Sequence, residues 1–426
     1  MLKLMIKLAL VFSFLSLNAC SKVDSGDEPQ KIKMWVAPNE TQEMFWKAAV
    51  DKWNQSGKGL QVEFTTIPAT GSSEQAVLTA LVSENAPDIS TNIFSGFAAQ
   101  LVNLDQLTDL SSLTGFEELI EHRKMDRVMQ GWRQDDKYYV LPLYSNPTLV
   151  WWRKDILADL GIDKLPETFD DIYEVSKRYG NKNDRFGMQI IAGNDWADRW
   201  FDFISYYYAT SNGQPYIEDN RVTYNNAAGK EVLDFINTMF KNKWTSTDFD
   251  SEDPLVIGTA VGAVRGPWDI AYFSRMYPET LKNIAIGPMI RARKSDQKHY
   301  TFSDSKGLVI FNSSQVKEEA FDFVRWVLSD DTLNVLWLEL TGLPPARGDL
   351  LDNPIFVDFY LHNPLAREYA TYVDVAVPPA FIEHTIDVQK IMSVEMMEPI
   401  QHQLKNTQKA LDDAQARTDK LLKWLK

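Results

Sequence analysis

The chain has one cysteine in 426 residues, Cys20, so it can build neither an internal disulfide framework nor a thiolate metal site. Its five histidines, His122, His299, His362, His384 and His402, are scattered, with no two at zinc-ligand spacing on one helix. Positive charge is in deficit: 44 Lys and Arg face 59 Asp and Glu, a net charge of −15 that makes nucleic acid a poor partner. There is no Gly-x-Ser-x-Gly elbow, no phosphate-cradling glycine loop followed by Lys and no Gly-x-Gly-x-x-Gly. The segment 181–187 has the look of a calcium loop, but Arg185 stands where an oxygen ligand is wanted, so it reads as a turn. Internal repeats and low-complexity tracts are also missing. With so many acids a pair of carboxylates at a cleft is easily found, which keeps a polysaccharide-active glycoside hydrolase as the rival reading, yet no particular pair stands out.

Long apolar runs are scarce as well. The uncharged stretch from Leu8 to Leu17 covers about ten residues, half of what a membrane-spanning helix needs. Lys3 and Lys7 precede or open it, and it ends in Leu17-Asn18-Ala19-Cys20, which resembles a bacterial lipobox. The expectation is a signal peptide over 1–19 and a diacylglyceryl group on Cys20, giving an exported, membrane-anchored lipoprotein that faces the periplasm or the cell exterior. Residues 20–30 are polar and turn-rich and suit a tether.

What remains is too long for a single hydrophobic core, so two lobes are expected. Aromatic residues are plentiful, with 13 Trp and 16 Tyr, and flat rings edged by polar groups suit the C–H faces and hydroxyls of sugars, although most such rings fill cores. Ile32, Met34 and Val36 alternate as a first strand; a helix follows from about Thr41 to Gln55, stopping at Gly57; Gln61 to Ile67 alternates again. Strand, helix, strand implies a parallel pair and an α/β fold. Tyr138 to Leu141 reads as a strand broken by Pro142 and resumed at Leu149–Trp152. Thr168 or Asp170 caps the next helix. Gly258–Trp268, Ile284–Met289 and Gly307–Phe311 read as strands, and 385–426 as helix kinked at Pro399.

An ordered series of motifs spans nearly the whole of this region. It comprises Trp35 and Glu40 after the first strand, Ala86-Pro87-Asp88-Ile89, Tyr138 to Pro147 running into Trp152-Arg153-Lys154-Asp155, Gly161 to Thr168, Gly266-Pro267-Trp268, Gly287-Pro288-Met289, Ser305 to Phe311, and Thr341 to Arg347. In this the chain resembles the extracellular solute-binding proteins of ABC importers, in the sugar-binding class related to maltose-binding protein. The resemblance implies an α/β two-lobed clamshell of the class II type with three interlobe crossings, placed near Tyr144–Asn146, Phe302–Lys306 and Leu343–Arg347. One lobe would hold 31–143 and 307–343, the other 144–306 and 344–426. It implies a monomer that is not an enzyme, needs no cofactor or metal, and hands a small ligand, most simply a sugar or oligosaccharide, to a permease; relatives that take non-sugar solutes leave that ligand class open. Ligands of such sheets collect at the carboxyl ends of strands. The candidate contacts are therefore Trp35, Glu40, Ser90, Asn92, Tyr144, Asn146, Trp196, Trp200, Trp268, Asp269, Ser303, Ser305 and Arg347. Trp268, set after Gly-Pro at a strand end, is read as the stacking ring. Trp196 and Trp200 fit equally the buried face of a helix, Glu40 and Asp269 equally a cap or a solvated charge, and Arg347 reads first as a pin for the third crossing and only second as a ligand contact.

Overall fold

Alternation builds the first strand as the sequence requires. Ile32, Met34 and Val36 are buried while Lys33 is exposed along β1 (Ile32–Val36), in a computed structural model that describes residues 30–68, 72–180, 184–190, 196–249 and 252–423. The leader, Cys20 and most of the tether lie outside the described residues. The helix Glu40–Ser56 starts where the Asn39 side chain accepts the Gln42 amide at 3.1 Å, and it returns the chain to β2 (Val62–Thr66), parallel to β1. β3 (Ile89–Ile93) joins β1 on its other side, also parallel.

Two strands then run almost end to end, β4 (Leu141–Pro147) and β5 (Leu149–Arg153), with only Thr148 between them. They belong to different sheets. β4 pairs with the long strand β9 (Thr301–Ile310), which extends the first sheet beyond β3 and also pairs with β10 (Ala376–Val377). β5 lies in a four-stranded sheet between β7 (Ala260–Arg265) and β8 (Ile284–Gly287), antiparallel to both, with β6 (Phe186–Gln189) parallel to β7 at the edge.

The strand break expected at Pro142 does not occur, because β4 passes straight through it. Pro142 stands opposite Gly307 where the register of β9 slips, and a bulge tolerates the donor that proline lacks. Only glycine fits there: a Cβ on Gly307 would lie 2.5 Å from Val140 Cγ1 and 2.6 Å from the Leu141 carbonyl oxygen. The C-terminal helical stretch is also interrupted, by a π-helical turn at Ser393–Met397 that sits just ahead of Pro399 and by a break before the last helix, Thr407–Lys423.

Two large cores result. One gathers Ile32, Met34, Trp46, Leu308, Phe321 and Trp337; the other gathers Val150, Trp152, Ile172, Tyr206, Phe235 and Leu411. Past the expected boundary at residue 344 and the expected crossing near Leu343–Arg347, the chain goes on packing with the first core. Ala346, Leu350, Phe356, Tyr360 and Val373 all pack into the first core, Leu365, Tyr369 and Tyr372 pack with Trp151 and Ile286 on the four-stranded sheet, and from about Val377 the chain packs with the second core. The physical reason is that the segment 354–370 includes two short helices, of which Val357–His362 packs on the first core and Pro364–Ala370 lies between that core, through Ala366 and Ala370, and the four-stranded sheet, through Leu365 and Tyr369. Among the described residues no helix is long and apolar enough to cross a membrane, and no cluster of His, Cys, Asp and Glu is placed to hold a metal ion.

Candidate functional site

The ladder between β4 and β9 sorts side chains onto two faces. Ser145 is opposite Ser305, Asn146 opposite Asp304 and Tyr144 opposite Lys306, and residues directly opposite in an antiparallel pair share a face. One face therefore carries Tyr144, Asn146, Asp304 and Lys306. The other carries Ser145, Ser303 and Ser305, all buried, with Ser145 Oγ 2.9 Å from Ser303 Oγ and Ser303 bonded in turn to Ser305.

The first face is covered at both ends. Tyr144 lies under the start of the helix Glu40–Ser56, where Gln42 hydrogen-bonds its hydroxyl, and its ring stacks on Trp337 at 6.0 Å. Phe302, two residues before Asp304, lies under the helix Trp196–Ser211, edge-on to Trp200 at 5.2 Å and Phe201 at 5.5 Å. Asn146 and Asp304 stand between these covers. Asn146 is 3% exposed and its Oδ1 has no hydrogen-bond partner. Burial lifts the half-buried Asp304 carboxyl above the ordinary carboxylate range, with Lys306 pulling the other way; burial and the Asp304 charge together push the Tyr144 hydroxyl well up.

Trp268 follows the end of β7. Arg265, at the end of β7, is opposite Leu149, so Gly266-Pro267-Trp268 emerges beside the point where β4 gives way to β5. Trp268 does not begin a loop; it opens the helix Trp268–Met276, whose Ile270 packs against the first core and against the cluster of Trp151, Phe273 and Tyr369. The Trp268 ring lies directly over Gly266, where a Cβ would come within 2.1 Å of it, and Trp268 is 39% exposed. Beneath, Arg265 pairs with Asp253 at 2.7 Å and meets Gln189 at 3.0 Å and Asp269 at 3.7 Å. The Tyr369 hydroxyl accepts from the Trp151 indole at 2.7 Å and donates to the Arg265 carbonyl at 3.0 Å, fixing the strand end. Burial, reinforced by Asp253 and opposed by Arg265, raises Asp269 to about 6.

The structure sets Tyr144 and Asn146 on one strand face and Trp268 and Asp269 together past the end of β7, with Glu40 exposed on the helical turn that reaches Tyr144 through Gln42. It places the others elsewhere. Ser303 and Ser305 point to the closed face. Trp200 is buried between Phe302 and Tyr216, and Ser90 is buried with its hydroxyl on the Thr91 carbonyl. Arg347, 1% exposed, is gripped by both carboxylate oxygens of Asp349 and by Asn334 at 3.2 Å and lies over Phe356. Trp35 lines a separate groove with Gln75, Thr79 and Asn85, and Asn92, at φ 65, donates to Ser73 Oγ at 3.2 Å. Trp196 opens its helix, and its side chain lies outside what is described. Sequence reasoning missed Asp304, Lys306 and Gln42. Had the strand been read from Thr301 instead of Gly307, its period of two would have separated Asp304 from its serine neighbours.

Residues 37–333 match the family described as bacterial extracellular solute-binding protein, so the chain belongs to that family. It is a solute-binding protein of the kind that serves ABC importers, a family of binders and not of enzymes. An uncharacterized protein of Listeria monocytogenes has a solved structure that is 32% identical, covers 92% of this chain and 99% of its own, and superposes with a TM-score of 0.86. The sugar-binding protein MalE of Xanthomonas citri shares the α/β periplasmic-binding-protein fold at 18% identity, with a TM-score of 0.77 over 93% of this chain and 99% of its own. The arabinooligosaccharide-binding protein of Halalkalibacterium halodurans is 20% identical over 76% of this chain and 74% of its own length.

Proposed function

We propose that this protein captures an oligosaccharide in a cleft between two lobes and presents it to the permease of an ABC importer, while a lipid on Cys20 holds it at the membrane. One lobe comprises residues 32–143 and 307–373, the other 149–302 and 377–423. Three passages join them, at Thr148, at Phe302–Ser303 and just after Val375. The observation that carries the reading is the Trp268 ring, exposed over Gly266 on a segment that leaves β7 opposite the start of β5, which offers the flat apolar face that a sugar ring stacks on. Relatives named for binding sugars support the ligand class.

The test is calorimetry of the purified full chain with arabinotriose, maltotetraose and diacetylchitobiose, followed by chromatography of the recovered sugar. One-to-one binding of at least one of them, with the sugar returned unchanged, is expected. Absence of binding to all three, or hydrolysis of the bound sugar, defeats the reading.

A further inference from the structure

We infer that Asp304, acting with Lys306, forms a subsite that selects a neutral sugar ring by a pair of adjacent free hydroxyls. This deepens the proposed function and rests on it.

The two residues stand two apart on one strand, so their side chains rise from the same face, roughly 7 Å between Cα atoms. A carboxylate only accepts hydrogen bonds and an ammonium only donates them. Neither is spent on the other: Lys306 is near enough to oppose the rise of the Asp304 pKa but makes no salt bridge to it, and no described residue hydrogen-bonds the carboxylate. Opposite Asp304, the buried Asn146 Oδ1 is a second acceptor without a partner, and both stand between Trp337 over Tyr144 and Trp200 over Phe302.

What fits such a place follows from the charges. A cationic ligand would meet Lys306 and an anionic one Asp304, in a half-buried setting where an unpaired charge is costly. A neutral polyol satisfies both. One hydroxyl donates to Asp304, and its neighbour on the ring donates to Asn146 while accepting from Lys306. A ligand hydroxyl also gives the Asp304 carboxylate the hydrogen bond that its burial otherwise withholds. Selection against a missing hydroxyl is then strong, because removing a partner leaves a desolvated polar group unpaired, whereas an added or missing apolar atom costs little.

The experiment uses the full chain, the tightest binder among arabinotriose, maltotetraose and diacetylchitobiose, and a set of its single-deoxy derivatives, with wild type and Asp304→Asn compared by calorimetry. Asp304→Asn keeps the shape and removes the charge, and thermal melts of both proteins check that it folds. We expect it to weaken the parent sugar about tenfold or more. At least one deoxy derivative should bind wild type about tenfold more weakly and then lose no more than about twofold on Asp304→Asn, since the contact is already gone. Lys306→Met should weaken the parent in the same direction. Equal affinity of wild type and Asp304→Asn for the parent overturns the subsite, and so does an equal loss for the parent and every deoxy derivative, which marks a merely structural role. If wild type binds none of the three sugars, the function reading falls and this inference with it; if wild type binds and Asp304→Asn binds equally well, only this inference falls.

Discussion

Two tryptophans of the second lobe, Trp200 and Trp268, have the same chemistry and opposite circumstances. Trp200 is 5% exposed, set edge-on against Phe302 and Tyr216 inside the second core, and its indole nitrogen has no hydrogen-bond partner. Trp268 opens a helix, rests on a glycine and keeps a face toward solvent. Burying an indole without a partner for its N–H forfeits part of the gain, so Trp200 is held for the area it fills. Trp268 gives up area that it could have buried. The difference shows that an aromatic surplus in a binding protein divides into rings that make the lobe and rings that the lobe displays, and that the backbone beneath the ring decides which is which.

The sharpest way to test this is to remove each ring in turn. Trp200→Ala should cost about 3–5 kcal/mol of stability in denaturant melts, as emptying a packed aromatic site does, with binding weakened only through that loss. Trp268→Ala should leave the melts within about 1 kcal/mol and weaken sugar binding by about 2 kcal/mol or more, at least thirtyfold, by calorimetry. Comparable losses of stability in the two variants would erase the distinction. Gly266→Ala probes the support without touching the ring: the new Cβ needs the space Trp268 occupies, so the ring must swing away, and affinity should fall about tenfold while stability changes by about 0.5 kcal/mol. Unchanged affinity in this variant would mean that the ring's place over the glycine is immaterial. The smallest effect concerns Asp269. Its folded pKa, raised to about 6 from the ordinary 3.8, means the folded state holds its proton more tightly than the unfolded chain. The associated stability is present in full below about pH 4 and is lost as the pH rises through 6. Asp269→Asn, which cannot ionise, should remove that decline and be about 1 kcal/mol more stable than wild type at pH 7, in melts taken from pH 4 to 8.

Much of the local structure was legible because it depends on near neighbours. The alternation of β1, the Gly57 end of the first helix, and the Thr168 cap, which with Asp171 makes a reciprocal capping box, are all short-range signals. Pairing is not short-range. Whether Pro142 breaks a strand depends on Gly307 across the ladder, and whether Arg347 meets a ligand depends on Asp349 and Asn334 folding around it. The site suffered most from this. Motifs led to Tyr144, Asn146 and Trp268, whereas Ser303 and Ser305 were singled out without the Asp304 between them, and a one-residue change in phase exchanges the two faces of a strand.

The closed face of that strand pair has a mechanical consequence. Ser145, Ser303 and Ser305, followed by Thr148 with Thr301 at 2.9 Å and Ser205 at 3.2 Å, form a line of hydroxyls along the chain's path from one sheet to the other. A hydroxyl turns about a single bond and serves as donor or acceptor in either direction, so neighbours in such a line can trade roles without moving a backbone atom. A packed row of valines in the same place would resist torsion through steric contact, and a row of amides through fixed polarity. With rotors along this seam, the strands can twist by small amounts while every buried oxygen in the line keeps a partner, so the seam is compliant without being loose.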